Sequence, residues 1–179
     1  MTVRFLNPVA GGLVEPNPYT LRADLSKPAT VGLVINKIVQ CDQFMAEIGR
    51  ALATLRPQLE LRSYETGTIT YADAALMDRV AAECDLAVCA IGHCGSCTAG
   101  TVKDGIALVE RGCPAVSLVT EVFWDQASAL SRSLGWPDAP RVQLPYPIWG
   151  TGQAQMQQVA QHAAREIIDI IEQVDGRAA

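Results

Sequence analysis

Asp85-Leu86-Ala87-Val88-Cys89-Ala90-Ile91-Gly92, followed without a break by His93-Cys94-Gly95-Ser96-Cys97-Thr98, is the stretch that decides the fold. Its first half is an almost continuous apolar run of strand length. That is the pattern of a parallel strand buried on both faces, not of an alternating, half-wet one. The run is far too short to cross a bilayer. Its second half is a turn of small residues that opens an apolar helix over Ser96–Arg111, with Gly112 as the C-terminal stop. A buried strand running directly into a helix is half of a βαβ unit.

The same alternation extends in both directions. Upstream, Thr30–Asn36 reads as a buried strand. Cys41–Leu55 reads as a helix, with Phe44, Ile48, Leu52 and Leu55 at helical spacing and Pro57 beyond it. Leu59–Tyr64 alternates like a strand and Ala72–Glu83 is an Ala-rich helix. Downstream come a strand at Pro114–Thr120, a helix at Glu121–Leu134 and a short edge strand at Arg141–Leu144. A last helix carries Met156, Val159, Ala163, Ile167, Ile170 and Val174 toward the sheet. Strands alternating with helices predict right-handed crossovers and a parallel sheet covered on both faces. Five strands at this spacing predict a flavodoxin-like or Rossmann-like α/β fold of order 2-1-3-4-5. Residues 30–179 form its single domain, and residues 1–29 form an irregular segment in which Val3–Leu6 is a short strand candidate. Ligands in such sheets bind beyond the carboxyl ends of the strands, where the strand order reverses. Here that point lies between the loops Asn36–Cys41 and Gly92–Thr98, and both carry cysteine.

Composition narrows the function. The chain has 179 residues, 49% hydrophobic and 18% charged, which is a globular balance. Fourteen basic against 19 acidic residues, a net charge of −5 and no basic run argue against nucleic acid or an anionic membrane as partner. Residues 1–13 hold one Arg and no apolar core, so no secretory signal is expected. A cytoplasmic location follows as the expectation, with the six cysteines as thiols in a reducing compartment.

The strand-to-helix turn is where thiol chemistry belongs. The start of a helix offers free N–H groups and about half a positive charge, which stabilise a thiolate. Cys94 is the candidate nucleophile, and Cys97, at i+3, is placed to resolve an oxidised or substituted Cys94 as a disulfide. Cys89, Cys84 and Cys113 read as small core hydrophobes. With no second C-x-x-C and no paired histidines, no metal site is expected. His93 is a candidate proton holder or oxyanion donor. Cys41 is a candidate second thiol facing Cys94 across the switch point. Asn36, Lys37, Gly95, Ser96, Thr98 and Glu121 are candidate substrate contacts, Lys37 for a carboxylate and Glu121 as acid, base or first-turn charge.

The residues also carry a resemblance. His93-Cys94-Gly95-Ser96-Cys97-Thr98, Val102-Lys103-Asp104 and Glu110-Arg111-Gly112-Cys113-Pro114-Ala115-Val116 resemble the UGSC family, many members of which have selenocysteine where Cys94 stands. Thr120-Glu121-Val122-Phe123 and Pro145-Tyr146-Pro147-Ile148 are similar to its later motifs, so the resemblance runs from Thr30 to Glu172. A weaker likeness reaches the selenoprotein B subunits of glycine, sarcosine and betaine reductases, in which a selenolate displaces an amine and a C–N bond is reduced. Two departures stand out. A thiol replaces the selenol, and the family's Asp-Asn-x-Lys-Pro-Asn stretch reads Ile35-Asn36-Lys37-Ile38-Val39-Gln40-Cys41 here.

Three functional readings follow. The first is a thiol-dependent oxidoreductase acting on a small molecule, with no bound cofactor and an external thiol or thioredoxin-type protein as reductant. The second is a C-x-x-C redox carrier or sensor. The third is a racemase, lyase or hydrolase with Cys41 and Cys94 opposed. Assembly as a homo-oligomer is compatible with all three.

Overall fold

The computed structural model describes residues 14–172, so Val3–Leu6 and Val174 lie outside the described residues. Five parallel strands form one sheet in the order β2-β1-β3-β4-β5. They are β1 (Ala29–Ile35), β2 (Leu59–Glu65), β3 (Leu86–Gly92), β4 (Ala115–Thr120) and β5 (Arg141–Leu144). The helices are α1 (Cys41–Leu55), α2 (Ala74–Glu83), α3 (Gly95–Val109), α4 (Trp124–Ser133) and α5 (Gln153–Glu172), with a 3-10 turn at Glu121–Phe123 leading into α4. The order expected from the alternation is the order found. Element ends differ from the sequence reading by a few residues, since terminal turns fray and cap.

Every residue of β3 is buried, as its unbroken apolar run requires. On one face, α1 and α5 pack through Phe44, Ile48, Leu52, Ala163, Ile167 and Ile171 against Val31, Leu33, Val88 and Leu118 of the sheet. On the other, α2 and α3 bury Met77, Val80, Leu108 and Val109 against Val34, Ala87 and Cys89. Val102 and Ile106 of α3 join Val119 and Ala127 in a third cluster under α4. Gly112, just beyond α3, has φ +80°, a backbone conformation open to glycine and strained for other residues. Residues 14–28 form no helix or strand, yet Leu25 is buried in the α1–α5 cluster and the Asn17 amide N–H donates to Gly135 O.

From β1 the chain turns one way to β2 and then back past β1 to β3. The carboxyl ends of β1 and β3 therefore flank the switch point. Asn36 ties them directly, its amide N–H donating to Ala90 O at 2.9 Å.

Candidate functional site

Cys94 is the N-cap of α3. Its backbone is extended (φ −146°, ψ 170°), and its Sγ accepts the Cys97 amide N–H at 3.2 Å. This is the bond a capping oxygen usually receives, here made to sulfur. The Ser96 hydroxyl lies 3.6 Å from the same sulfur. Cys97 sits one helical turn on, with a Cα–Cα separation of 5.2 Å, and its Sγ is joined to Cys94 Sγ. That separation lies within the range a disulfide accepts. The two sulfurs differ in access: Cys94 is partly exposed, whereas Cys97 is 1% exposed. A reagent from solvent therefore meets Cys94.

Long-range bonds hold the turn in place. Gln126 of α4 donates from Nε2 to Gly95 O at 2.8 Å, and the Thr120 hydroxyl donates to Gly92 O at 2.9 Å. The Thr98 hydroxyl donates to Cys94 O at 2.7 Å, and the side chain is fully buried. Thr98 thus closes the first turn of α3 from inside; its hydroxyl is engaged there and not turned to a ligand. A Cβ on Gly95 would meet Gln126 only at ordinary contact distance, so the glycine leaves the turn open without being forced by packing.

His93 lies between two aromatic rings, Tyr146 and Trp149, each with its centroid 4.7 Å away. Its Nε2 accepts the Ile148 amide N–H at 3.4 Å. Burial lowers its pKa below the ordinary histidine value, which favours the neutral ring, and with Nε2 accepting, the ring proton belongs on Nδ1. With Nε2 engaged, the ring has an N–H to donate and no free lone pair to act as a base. Glu121 is exposed, and its Oε1 accepts the Tyr146 amide N–H at 3.2 Å. His93 and Glu121 therefore hold the same 145–149 loop against the ends of β3 and β4.

Asn36 is buried. Its Nδ2 donates to Ile91 O at 3.0 Å and to Thr101 Oγ1 at 3.3 Å, while its Oδ1 has no hydrogen-bond partner among the described residues. The side chain braces β1 to β3 and α3. Lys37 is exposed, its amide N–H donating to Thr68 O at 2.9 Å. Cys41 has no exposed surface and packs in the α1–α5 core beside Phe44 and Ile91. Burial pushes its thiol up to about 12, so it keeps its proton at neutral pH. Burial likewise pushes Cys113 up to about 12, Cys84 upward and Cys89 well above an ordinary thiol. The structure thus brings Cys94, Gly95, Ser96, Cys97 and Thr98 together with His93 and Glu121 nearby, and sets Cys41 in the core.

Sequence reasoning passed over Gln126 and Tyr146. Gln126 carries no local signal, being one more polar residue on a helix 31 positions from its partner. Tyr146 stands inside the Pro145–Ile148 motif, which was the available sign. Grooves of about 440 and 560 Å³ lie elsewhere, between α1 and α5 and at the start of α5, lined by Glu47, Arg50, Gln157 and Gln153. Their central ion pair, Glu47–Arg50, is neutralised internally and offers no nucleophile. The open rim carrying the thiol is the better candidate on chemistry. Among the described residues no group of three or more His, Cys, Asp or Glu is placed to hold a metal ion, and no helix is long and apolar enough to cross a membrane.

The chain is a flavodoxin-like α/β protein whose C-x-x-C pair, set between the central strand and the following helix, fits a thiol-based function. The sequence model of the UGSC family matches residues 4–173, and the chain belongs to that family. The match begins nearer the N-terminus than the Thr30 expected from the motifs. No curated protein matches it in sequence. Among solved structures it is similar to the flavodoxin-like domain of a Synechococcus protein, at 11% identity and TM-score 0.42, over 78% of this chain and 96% of that one. It is also similar to the C-terminal catalytic domain of Streptococcus pneumoniae peptidoglycan O-acetyltransferase A, solved with a methylsulfonyl adduct, at 13% identity and TM-score 0.49, over 82% and 93% of the two chains. At such identities neither likeness carries any chemistry.

Proposed function

We propose that the chain is a thiol-dependent oxidoreductase for a small electrophilic substrate, with Cys94 as nucleophile and Cys97 as resolving thiol. The observation that carries this reading is the asymmetry of the pair. The outer sulfur caps a helix, accepts an amide N–H at 3.2 Å and meets solvent, while the inner one is buried within disulfide reach. Thiolate is the nucleophilic form, and a helix N-terminus favours it.

In the proposed cycle the Cys94 thiolate attacks an electrophilic carbon or heteroatom and expels a leaving group with its electron pair. The substrate fragment is then bonded to Cys94 Sγ. The Cys97 thiolate attacks that sulfur, and the fragment departs with the bonding pair and takes up a proton. The substrate has gained two electrons and the two cysteines have lost them as a disulfide. An external thiol restores the dithiol. In this cycle His93 offers its ring N–H to a developing oxyanion, and Lys37, exposed beyond the end of β1 and in no ion pair among the described residues, is the cation for an anionic substrate.

The test is capture of the intermediate. Cys97→Ser protein, incubated with a small-metabolite fraction of a cell lysate, should accumulate a mass adduct on the peptide containing Cys94. Wild type should instead convert to the Cys94–Cys97 disulfide. Absence of both adduct and metabolite-driven thiol loss would overturn the reading. The opposed-thiol alternative draws no support from a fully buried, protonated Cys41.

A further inference from the structure

We propose that the rim around Cys94 is a docking surface for a small protein reductant, one whose own dithiol is set in an apolar patch. This rests on the redox reading above. Among the described residues the exposed large apolar side chains are Val14, Val39, Ile69, Tyr71, Val122, Leu134 and Tyr146. Five of these seven stand in the loops at the carboxyl ends of the strands, the end that carries Cys94. Ile69 and Tyr71 follow β2, Val39 follows β1, Val122 follows β4 and Tyr146 follows β5, each between 43% and 78% exposed. In the sheet order β2-β1-β3-β4-β5, the turn after β3 stands at the centre of this series. Apolar side chains thus flank the one solvent-facing sulfur of the pair on both sides.

The width of the series selects the occupant. Four strand spacings of about 4.8 Å give a collar about 19 Å across. A small thiol reaches the sulfur without touching most of it, whereas a protein face covers it. Five separate exposed side chains offer far less apolar surface than the large, continuous faces of obligate dimers, and transient redox encounters need less. A second copy of the chain seated there would close Cys94 to substrate and to reductant alike.

Access fixes the chemistry. A partner thiolate can attack only Cys94 Sγ, because Cys97 is buried. The disulfide's electron pair passes to Cys97 Sγ, which takes a proton, and a mixed disulfide joins the partner to Cys94. The partner's second thiolate attacks its own bridged sulfur and expels Cys94 as a thiolate, which the Cys97 amide N–H receives at 3.2 Å. The chain gains two electrons, and the partner leaves as its disulfide.

The experiment compares two reductants on the oxidised protein: dithiothreitol, and thioredoxin recycled by its reductase and NADPH. In wild type, thioredoxin should act at least tenfold faster per dithiol than dithiothreitol. The Tyr71→Ser/Val122→Ser double variant should slow thioredoxin at least tenfold while leaving dithiothreitol within twofold. Equal thioredoxin rates for variant and wild type would overturn the docking proposal. So would a wild-type dimer that the double variant dissociates, since a second copy would then own the rim. Failure of the Cys94–Cys97 disulfide to form, or to yield to dithiothreitol, would strike the underlying redox reading instead.

Discussion

Gly100→Ala is a sharp test of the wall beside the thiol turn. Gly100 lies inside α3, and a Cβ there would fall within the van der Waals shells of the Thr70 carbonyl oxygen and carbon, and 3.0 Å from Thr70 Cα. The obstacle is backbone, so no side chain can swing aside. The loop between β2 and α2 would have to retreat by about 2 Å to restore an ordinary contact. Anchors hold that loop on either side of Thr70: the Lys37 amide N–H donates to Thr68 O at 2.9 Å, and the Ala72 amide N–H donates to Asp104 Oδ1 at 2.8 Å. A retreat of that size breaks at least the second and leaves a buried carboxylate short of its donor. Overpacking costs about 1–3 kcal/mol, and the lost bond to a charged group about 1.5–3. Alanine's better helix propensity returns about 1 kcal/mol. The net expectation is a loss of about 2–5 kcal/mol, read from urea unfolding with an unchanged slope. A variant as stable as wild type, or stabilised by the helix-propensity gain alone, would show that α3 and the loop do not approach so closely and would refute the reasoning.

Other outcomes follow from the same geometry. In the reduced protein Cys94 should be the first thiol alkylated by iodoacetamide, well ahead of Cys84 and Cys113, read by site-resolved peptide mass; equal rates would remove it as nucleophile. Mild oxidation should join Cys94 to Cys97 before any other pair, and a Cys41–Cys94 bridge on peptide mapping would show that Cys41 leaves the core. Burial raises Asp104 from 3.8 to about 6, so the folded state holds this proton more tightly than the unfolded one. Its stabilising contribution is full below about pH 4 and is lost as pH rises through 6, up to about 3 kcal/mol at about 1.36 kcal/mol per pH unit. Asp104→Asn keeps an acceptor for Ala72, should flatten that stretch of the stability profile and should be more stable than wild type at pH 8; an unchanged profile would assign the slope elsewhere. Lys37→Met should slow Cys94 alkylation by anionic iodoacetate about two- to fivefold at low salt, the scale of an exposed, screened charge. Iodoacetamide should react as before, and equal slowing of both reagents would mean that the substitution disturbed the turn itself.

Periodicity along the chain was enough to read the alternation of strands and helices, the order 2-1-3-4-5 and the thiol at the head of α3. The alternation and the place of the thiol depend on neighbours a few residues apart: an apolar run at β3, apolar residues at helical spacing in α1, a turn of small residues from Gly92 to Thr98. The order comes from the way such alternating chains connect. The two loops at the switch point follow from that order, because connection rules leave few alternatives. What each side chain does there depends on residues far away in sequence, and only the folded chain decides it. Cys94 read as the nucleophile and Cys41 as a candidate second thiol across the switch point; the α1–α5 core buries Cys41, while the N-terminus of α3 presents Cys94. Thr98 looked free to meet a ligand, but its hydroxyl turns inward to Cys94 O. His93 read as a proton holder or an oxyanion donor, and Ile148, 55 residues on, engages its Nε2 and so favours the donor role. Asn36 is a brace because Ile91 and Thr101 converge on its amide. Local sequence sets which groups are present and on which element, while burial and hydrogen-bond partners, which set protonation and reach, arise from contacts across the sheet.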